Sequence, residues 1–107
     1  MVYDGIIKNL TDAAEHLRPA NPKDVELAHN ELQLAERLVL ELKLALDKSR
    51  GGELAKVLDN LYDFWIRRIS EANVKKNSHL LQDVIIMARD LRESWHKATI
   101  EARKQAL

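Results

Sequence analysis

Two Glu-x-x-His pairs are the strongest candidates for chemistry in this chain of 107 residues: Glu26 with His29, and Glu93 with His96. Carboxylate-bridged di-iron bundles bind metal with such pairs on two helices and with glutamates from two others, all pointing inward. Each residue of a helix turns by about 100°, which places His29 and Glu26 about 100° and 160° from the apolar stripe of their helix. The second pair lies similarly far from its own stripe. Because ligands that face away from the core on separate helices do not share a metal ion, we expect neither a metal nor a cofactor.

The other reactive residue types do not form a catalytic set. The chain has no cysteine, which excludes disulfides, thiolate metal sites and a cysteine nucleophile. Gly51 and Gly52 follow a predicted helix rather than a strand, so they do not make a phosphate-binding loop. His16 and His79 lie near predicted helix ends, where a solvated or capping role is ordinary. We therefore expect that the protein is not an enzyme.

The composition is that of a helical protein without a strong charge. Apolar residues make up 46% and charged residues 32%, and the chain has only three glycines and two prolines, which argues against both disorder and a sheet. Lys plus Arg equals Asp plus Glu at 17 each, whereas a nucleic-acid partner requires an excess of positive charge. No stretch approaches the roughly 20 apolar residues of a membrane span. The start of the chain does not resemble a signal peptide. We expect a cytoplasmic protein with no nucleic-acid or membrane partner.

Apolar residues recur at spacings of three and four in four stretches, which predicts four amphipathic helices. Asn21 and Pro22 suit the cap and first position of the second helix. The glycine pair at 51–52 is typical of a helix end, and Asn77 or Ser78 is a suitable cap for the fourth helix. The predicted helices span residues 2–17, 22–48, 53–72 and 78–104. Because short connections favour antiparallel neighbours, we expect an all-α, up-down-up-down antiparallel four-helix bundle that forms one domain over residues 1–107.

The same spacing predicts which residues face the core. It places Leu54, Val57 and Trp65 of the third helix inward, together with Trp95 of the fourth. The first predicted helix is shorter than the second, so it cannot cover the whole bundle. We expect an uncovered end where the second helix ends, the third begins and the fourth ends.

The chain carries more apolar residues than a bundle core needs, which is about three positions in seven. One interpretation is a broad core, because each helix of a bundle contacts two neighbours. The other is a groove for the amphipathic helix of a partner. Three leucines of the second helix outside the core stripe would contribute about 4–9 kcal/mol gross if a partner buried them. The candidate partner-binding residues are Leu27, Leu34, Leu38, Leu44, Tyr62, Ile86 and Ile100.

Five short segments resemble the flagellin export chaperone family, FliS. Met1–Ile7 is similar to the family's opening segment, and Leu91–Trp95 resembles a run in its last helix. The third predicted helix carries the other three, Gly51–Ala55, Leu61–Phe64 and Glu71–Asn73. The segments follow the family's order over nearly the whole chain.

The resemblance implies an antiparallel four-helix bundle without cofactor or catalysis. It implies that the chain binds the disordered C-terminal segment of flagellin in the cytoplasm and keeps flagellin monomeric. It also implies delivery of flagellin to the flagellar export gate. A generic helical adaptor that binds another amphipathic client helix remains the alternative.

The chain departs from the family at its start. Family members usually carry a longer segment before the Tyr-Asp-Gly motif, and that segment packs on the bundle and competes with the client. Its absence indicates a truncation or a natural short form. We expect open apolar surface near Leu44, Leu46 and Ile100, available to the client or to a second copy in a homodimer.

Overall fold

The computed structural model describes residues 2–18 and 22–106, and all of its regular structure is helical. No strand occurs among those residues, which confirms the predicted all-α, four-helix fold. The predicted cap Asn21 lies outside the described residues. Over the described ranges, no helix has both the length and the apolar character needed to cross a membrane. The elements are α1 (Val2–Leu17), α2 (Pro22–Leu44), α3 (Lys48–Lys75), a 3-10 turn (Ser78–Leu81) and α4 (Gln82–Ala106).

The connection between α2 and α3 is set by an aspartate rather than by the glycine pair. The side chain of Asp47 accepts hydrogen bonds from the backbone N–H groups of Ser49 and Arg50, both at 3.2 Å. It also accepts one from the Ser49 hydroxyl at 2.7 Å. The first N–H groups of a helix have no carbonyl partner in the helix itself, and Asp47 supplies an acceptor for two of them. As a result α2 ends at Leu44, earlier than the predicted Lys48.

Gly52 lies within α3 instead of before it. Its φ of 55° and ψ of −135° kink the helix, in a region of backbone conformation that favours glycine. A short helical turn from Lys48 therefore precedes the break at Gly52, and the long part of α3 starts at the predicted Glu53. The helix continues past the predicted Ala72, to Lys75, where the left-handed Lys76 donates its N–H to the Ala72 carbonyl. The predicted break at the glycine pair is present, whereas the helical turn before it was not predicted.

Polar contacts between α2 and α3 show how the two helices are aligned. His29 Nδ1 lies 2.9 Å from the amide nitrogen of Asn73, so the start of α2 meets the end of α3. Lys43 Nζ lies 2.9 Å from Asp59 Oδ1, so the end of α2 meets the first half of α3. Residue numbers rise along one helix as they fall along the other, and the two helices run in opposite directions.

One apolar core connects all four helices, and Trp65 is its largest fully buried side chain. The ring of Tyr3 meets Trp65 edge-on with centroids 6.4 Å apart, and the ring of Tyr62 lies 5.5 Å away. These contacts place the first turn of α1 opposite Tyr62. Helix α1 supplies a buried residue in each of its turns, namely Tyr3, Ile6, Ile7, Leu10, Ala13, Ala14 and Leu17.

Two residues predicted to face the core are exposed instead. Leu54 is 61% exposed and Val57 is 59% exposed. Ala55 and Leu58 lie at the same level of α3 and are buried, so the covered arc of the helix ends before the directions of Leu54 and Val57. The prediction of a core position was wrong for both, since the spacing identifies a face but not how wide an arc of it the neighbouring helices cover.

Candidate binding groove

The uncovered end predicted from the sequence carries an open cavity of about 470 Å³. It lies where α2 ends and α3 begins, between the first turn of α1 and the second half of α4. Asp47 and Thr99 are its polar lining residues, and the rest are aliphatic or aromatic. We call this cavity the end groove. Its lining residues are Val2, Tyr3, Leu42, Ala45, Leu46, Asp47, Leu58, Tyr62, Trp95 and Thr99.

Two walls of the end groove use side chains four residues apart on one helix, which lie on the same face of that helix. The spacing therefore explains why α3 and α4 each present two lining residues to the same space. These pairs are Leu58 and Tyr62, and Trp95 and Thr99, whereas Leu42 belongs to α2 and Leu46 to the connection that follows it.

Two tyrosines that contact each other form part of the lining. The hydroxyl oxygens of Tyr3 and Tyr62 lie 2.6 Å apart, and the two residues are only 5% and 2% exposed. Burial, and then the hydrogen bond to Tyr3, raises the pKa of Tyr62 far above its ordinary value. The Tyr62 hydroxyl is therefore neutral near pH 7, and the hydrogen-bonded pair is a polar group within apolar surroundings.

Trp95 forms the α4 side of the groove and is 44% exposed. The prediction that it belongs to the core was wrong. Arg92 contacts Asp4 of α1 at 3.1 Å, and every residue from Glu93 to Gln105 is exposed. Because α4 continues beyond the part of the helix that packs on α1, the described helices leave one face of Trp95 uncovered.

An ion cluster fixes the α2 and α3 walls to each other. Lys43 Nζ lies 2.9 Å from one carboxylate oxygen of Asp59 and 2.9 Å from one of Asp63. The hydrogen bonds to Asp59 and then Asp63 raise the pKa of Lys43 above its ordinary value. The ammonium group is thus charged at neutral pH and holds the end of α2 against α3 next to the groove.

The structure separates the seven candidate partner-binding residues predicted from the sequence. Only Tyr62 lines the end groove, and it is buried rather than at an exposed rim. Leu38 is half-buried against the core, where its Cδ1 would lie 3.0 Å from a Cβ added at Gly5, which makes this a tight contact between α1 and α2. The five exposed candidates, which do not line the groove, are Leu27, Leu34, Leu44, Ile86 and Ile100.

Sequence reasoning missed most of the groove because its residues belong to the same apolar stripes as the core. Trp95 continues the spacing of buried neighbours, so the pattern placed it in the core. The signal that indicated the groove was the difference in length between the first two predicted helices. Of the residues near which open surface was expected, Leu46 lines the groove, whereas Leu44 and Ile100 do not.

The Glu-x-x-His pairs do not converge. Glu26 is exposed and His29 is paired with Asn73, whereas Glu93 and His96 are exposed on α4. Within residues 2–18 and 22–106, no group of three or more His, Asp or Glu side chains could hold a metal ion.

The fold and the groove together define a class, a small helical bundle with an open apolar surface suited to a partner chain. The comparison with known families is more specific, because residues 1–102 match the family model described as Flagellar protein FliS. The chain belongs to the FliS family, as its motifs predicted.

Proteins that are similar to this chain are named as FliS proteins. It is 30% identical to the flagellar secretion chaperone FliS of Vibrio cholerae serotype O1 over 95 residues, which cover 89% of this chain and 68% of the relative. It is also 30% identical to FliS of Bacillus subtilis over 104 residues, or 97% and 74% of the two chains. The flagellar secretion chaperone FliSB of Pseudomonas aeruginosa is 43% identical over 54 residues, which cover 50% of this chain and 43% of FliSB. The family is therefore one of flagellar secretion chaperones.

Proposed function

We propose that this chain is a cytoplasmic chaperone for flagellin. It binds the disordered C-terminal segment of flagellin, prevents premature polymerisation and delivers flagellin to the flagellar export gate. The observation that carries this proposal is the end groove, an open apolar cavity with a half-exposed tryptophan in its wall. Membership of the FliS family supports it.

Binding of an amphipathic segment is the interaction that such a groove favours. The segment buries its apolar face in the groove as a helix and keeps its polar face in water. Ordering a disordered segment costs free energy, so the client requires several apolar contacts for stable binding. Exposed apolar residues beyond the groove extend the surface available to a long client. They include Leu27 and Leu34 on α2, and Ile86 and Ile100 on α4.

The chaperone effect follows from occupancy. An amphipathic segment that polymerises through its apolar face is blocked from polymerising while a groove covers that face. No bond is made or broken, so the mechanism requires only an affinity that holds the client until delivery. The export gate then receives a client whose C-terminal segment is still covered.

Isothermal titration calorimetry with a synthetic peptide of the flagellin C-terminal segment, from the same organism, tests this proposal. We expect saturable binding with a negative heat-capacity change, which marks burial of apolar surface. A scrambled peptide of the same composition is the control. Absence of binding by the flagellin peptide would contradict the proposal, and binding of an unrelated amphipathic helix alone would favour the generic adaptor.

The same uncovered end supports the homodimer expected from the sequence. Apolar side chains such as Trp95 and Leu46, at the end of the bundle, are available to a second copy when no client is bound. Sedimentation velocity should then show a mass that rises with protein concentration and returns to that of a monomer when the flagellin peptide is added. A monomer at every concentration would contradict the dimer without affecting client binding.

A further inference from the structure

Three buried hydrogen-bond donors meet beside the end groove. They are the hydroxyls of Tyr3 and Tyr62 and the indole N–H of Trp65, whose ring contacts both tyrosine rings. Because one hydroxyl donates to the other, one O–H proton of the pair remains. Trp65 Nε1 has no hydrogen-bond partner among the residues described. This cluster therefore holds more donor hydrogens than its own atoms accept.

The surroundings of the cluster disfavour a negative charge, and Asp47, the charged residue that lines the groove, is itself an anion. The tyrosine pair shares the groove lining with Leu42, Leu58 and Val2, which are apolar. The raised pKa of Tyr62 has burial as its largest cause, so a negative charge is disfavoured at this position. A client carboxylate would lose its hydration on entering this environment, whereas an uncharged oxygen would lose far less.

We infer that the Tyr3–Tyr62 pair is a specificity element of the end groove, which selects a client with one side-chain amide of Asn or Gln among its apolar anchors. This inference rests on the proposed binding of a client segment in that groove. The amide oxygen accepts the remaining hydroxyl proton of the pair. The amide NH2 group donates to a lone pair of the other hydroxyl.

An aliphatic side chain does not replace the amide. It would bury the pair completely while leaving a hydroxyl proton without an acceptor, and unpaired buried donors are costly. A site built to hydrogen-bond one group discriminates strongly against an analogue that lacks it. The pair therefore contributes to the choice and register of the client, while the apolar walls supply most of the affinity.

A double-mutant cycle on the full chain tests the inference. The probe is the synthetic flagellin C-terminal peptide, and in a set of variant peptides each Asn or Gln is replaced in turn by Leu, which is similar in size. We expect one replacement to weaken binding to the wild-type chain about tenfold, as for loss of one buried hydrogen bond. Tyr62→Phe should weaken binding of the unchanged peptide by a similar factor and should make that one replacement nearly neutral.

Thr11→Val is the matched control, because it also removes a buried hydroxyl but lies on α1 outside the groove. We expect it to bind every peptide like the wild-type chain. If circular dichroism shows that Tyr62→Phe is unfolded, Tyr3→Phe removes the other half of the pair and replaces it in the cycle. The replacement series on the wild-type chain is informative in either case.

The outcomes separate the inference from the function on which it rests. If the unchanged peptide binds the wild-type chain, but no amide replacement weakens binding and both tyrosine variants bind like the wild type, the inference is overturned and the proposed function stands. If the unchanged peptide does not bind the wild-type chain, the proposed function fails, and the specificity element fails with it.

Discussion

Replacement of Trp95 by alanine should weaken client binding while the bundle remains folded. Trp95 is 44% exposed in the wall of the end groove. A tryptophan side chain presents up to about 250 Å², so a client that covers the free part removes roughly 110 Å² from water. At about 25 cal/mol per Å², this burial contributes about 2.7 kcal/mol gross. If ordering costs remove half of it, the loss is about 1.4 kcal/mol, or tenfold in affinity.

Calorimetric titration with the flagellin C-terminal peptide measures this loss, and fluorescence gives an independent signal. Trp65 is fully buried, so only Trp95 should change its environment and shift its emission to shorter wavelength when the client binds. Val74→Ala is a suitable control, because Val74 is 81% exposed but lies near the end of α3, outside the end groove. We expect the control to bind like the wild-type chain.

The thermal melt distinguishes loss of binding from loss of fold. Residues from Glu93 to Gln105 are exposed along α4, so removal of the Trp95 side chain should leave the main core and the cooperative unfolding transition in place. A folded Trp95→Ala variant with wild-type affinity would refute the assignment of the groove as the client site.

Three further predictions concern the exposed stripe, the α3 cap and the α3 kink. Leu34→Glu places a charge on a half-exposed position, so it should weaken peptide binding roughly tenfold. The thermal melt followed by circular dichroism should be unchanged, and a collapsed fold would show that Leu34 belongs to the core. The Ser49 hydroxyl, and then the backbone N–H groups of the first turn, lower the pKa of Asp47 below its ordinary value of 3.8. The cap formed by the ionised Asp47 therefore stabilises the fold fully above pH 3.8, and this stabilisation disappears as the pH falls through the lowered pKa. The melting temperature of the wild-type chain should therefore fall more steeply in acid than that of Asp47→Asn, which retains a cap that does not titrate; parallel pH profiles would contradict this. Gly52→Ala should reduce the free energy of unfolding, measured by denaturant titration, by about 1–3 kcal/mol. An added Cβ would meet nothing within 4 Å, so the cost comes from the φ of 55°, which alanine rarely adopts. Unchanged stability would mean that the kink is absent in solution.

The helices and the family were predictable from the sequence because both depend on local information. A helical stripe requires only spacing along one segment, and Ile6, Leu10 and Leu17 are buried as their spacing indicates. Family motifs are likewise read in order along the chain, and the match over residues 1–102 confirms them. The presence of an uncovered end followed from the lengths of the predicted helices.

The tertiary structure decided which parts of each stripe are covered. Leu58 and Val57 are adjacent in sequence and lie at nearly the same level of α3, yet Leu58 is buried and Val57, which was expected inside, is exposed. Trp65 and Trp95 continue similar patterns, but only Trp65 has neighbouring helices on every side. The physical reason is that periodicity specifies the direction of a side chain around its own helix axis. How wide an arc of the helix its neighbours cover, and how far along the axis they extend, depends on how the whole chain packs.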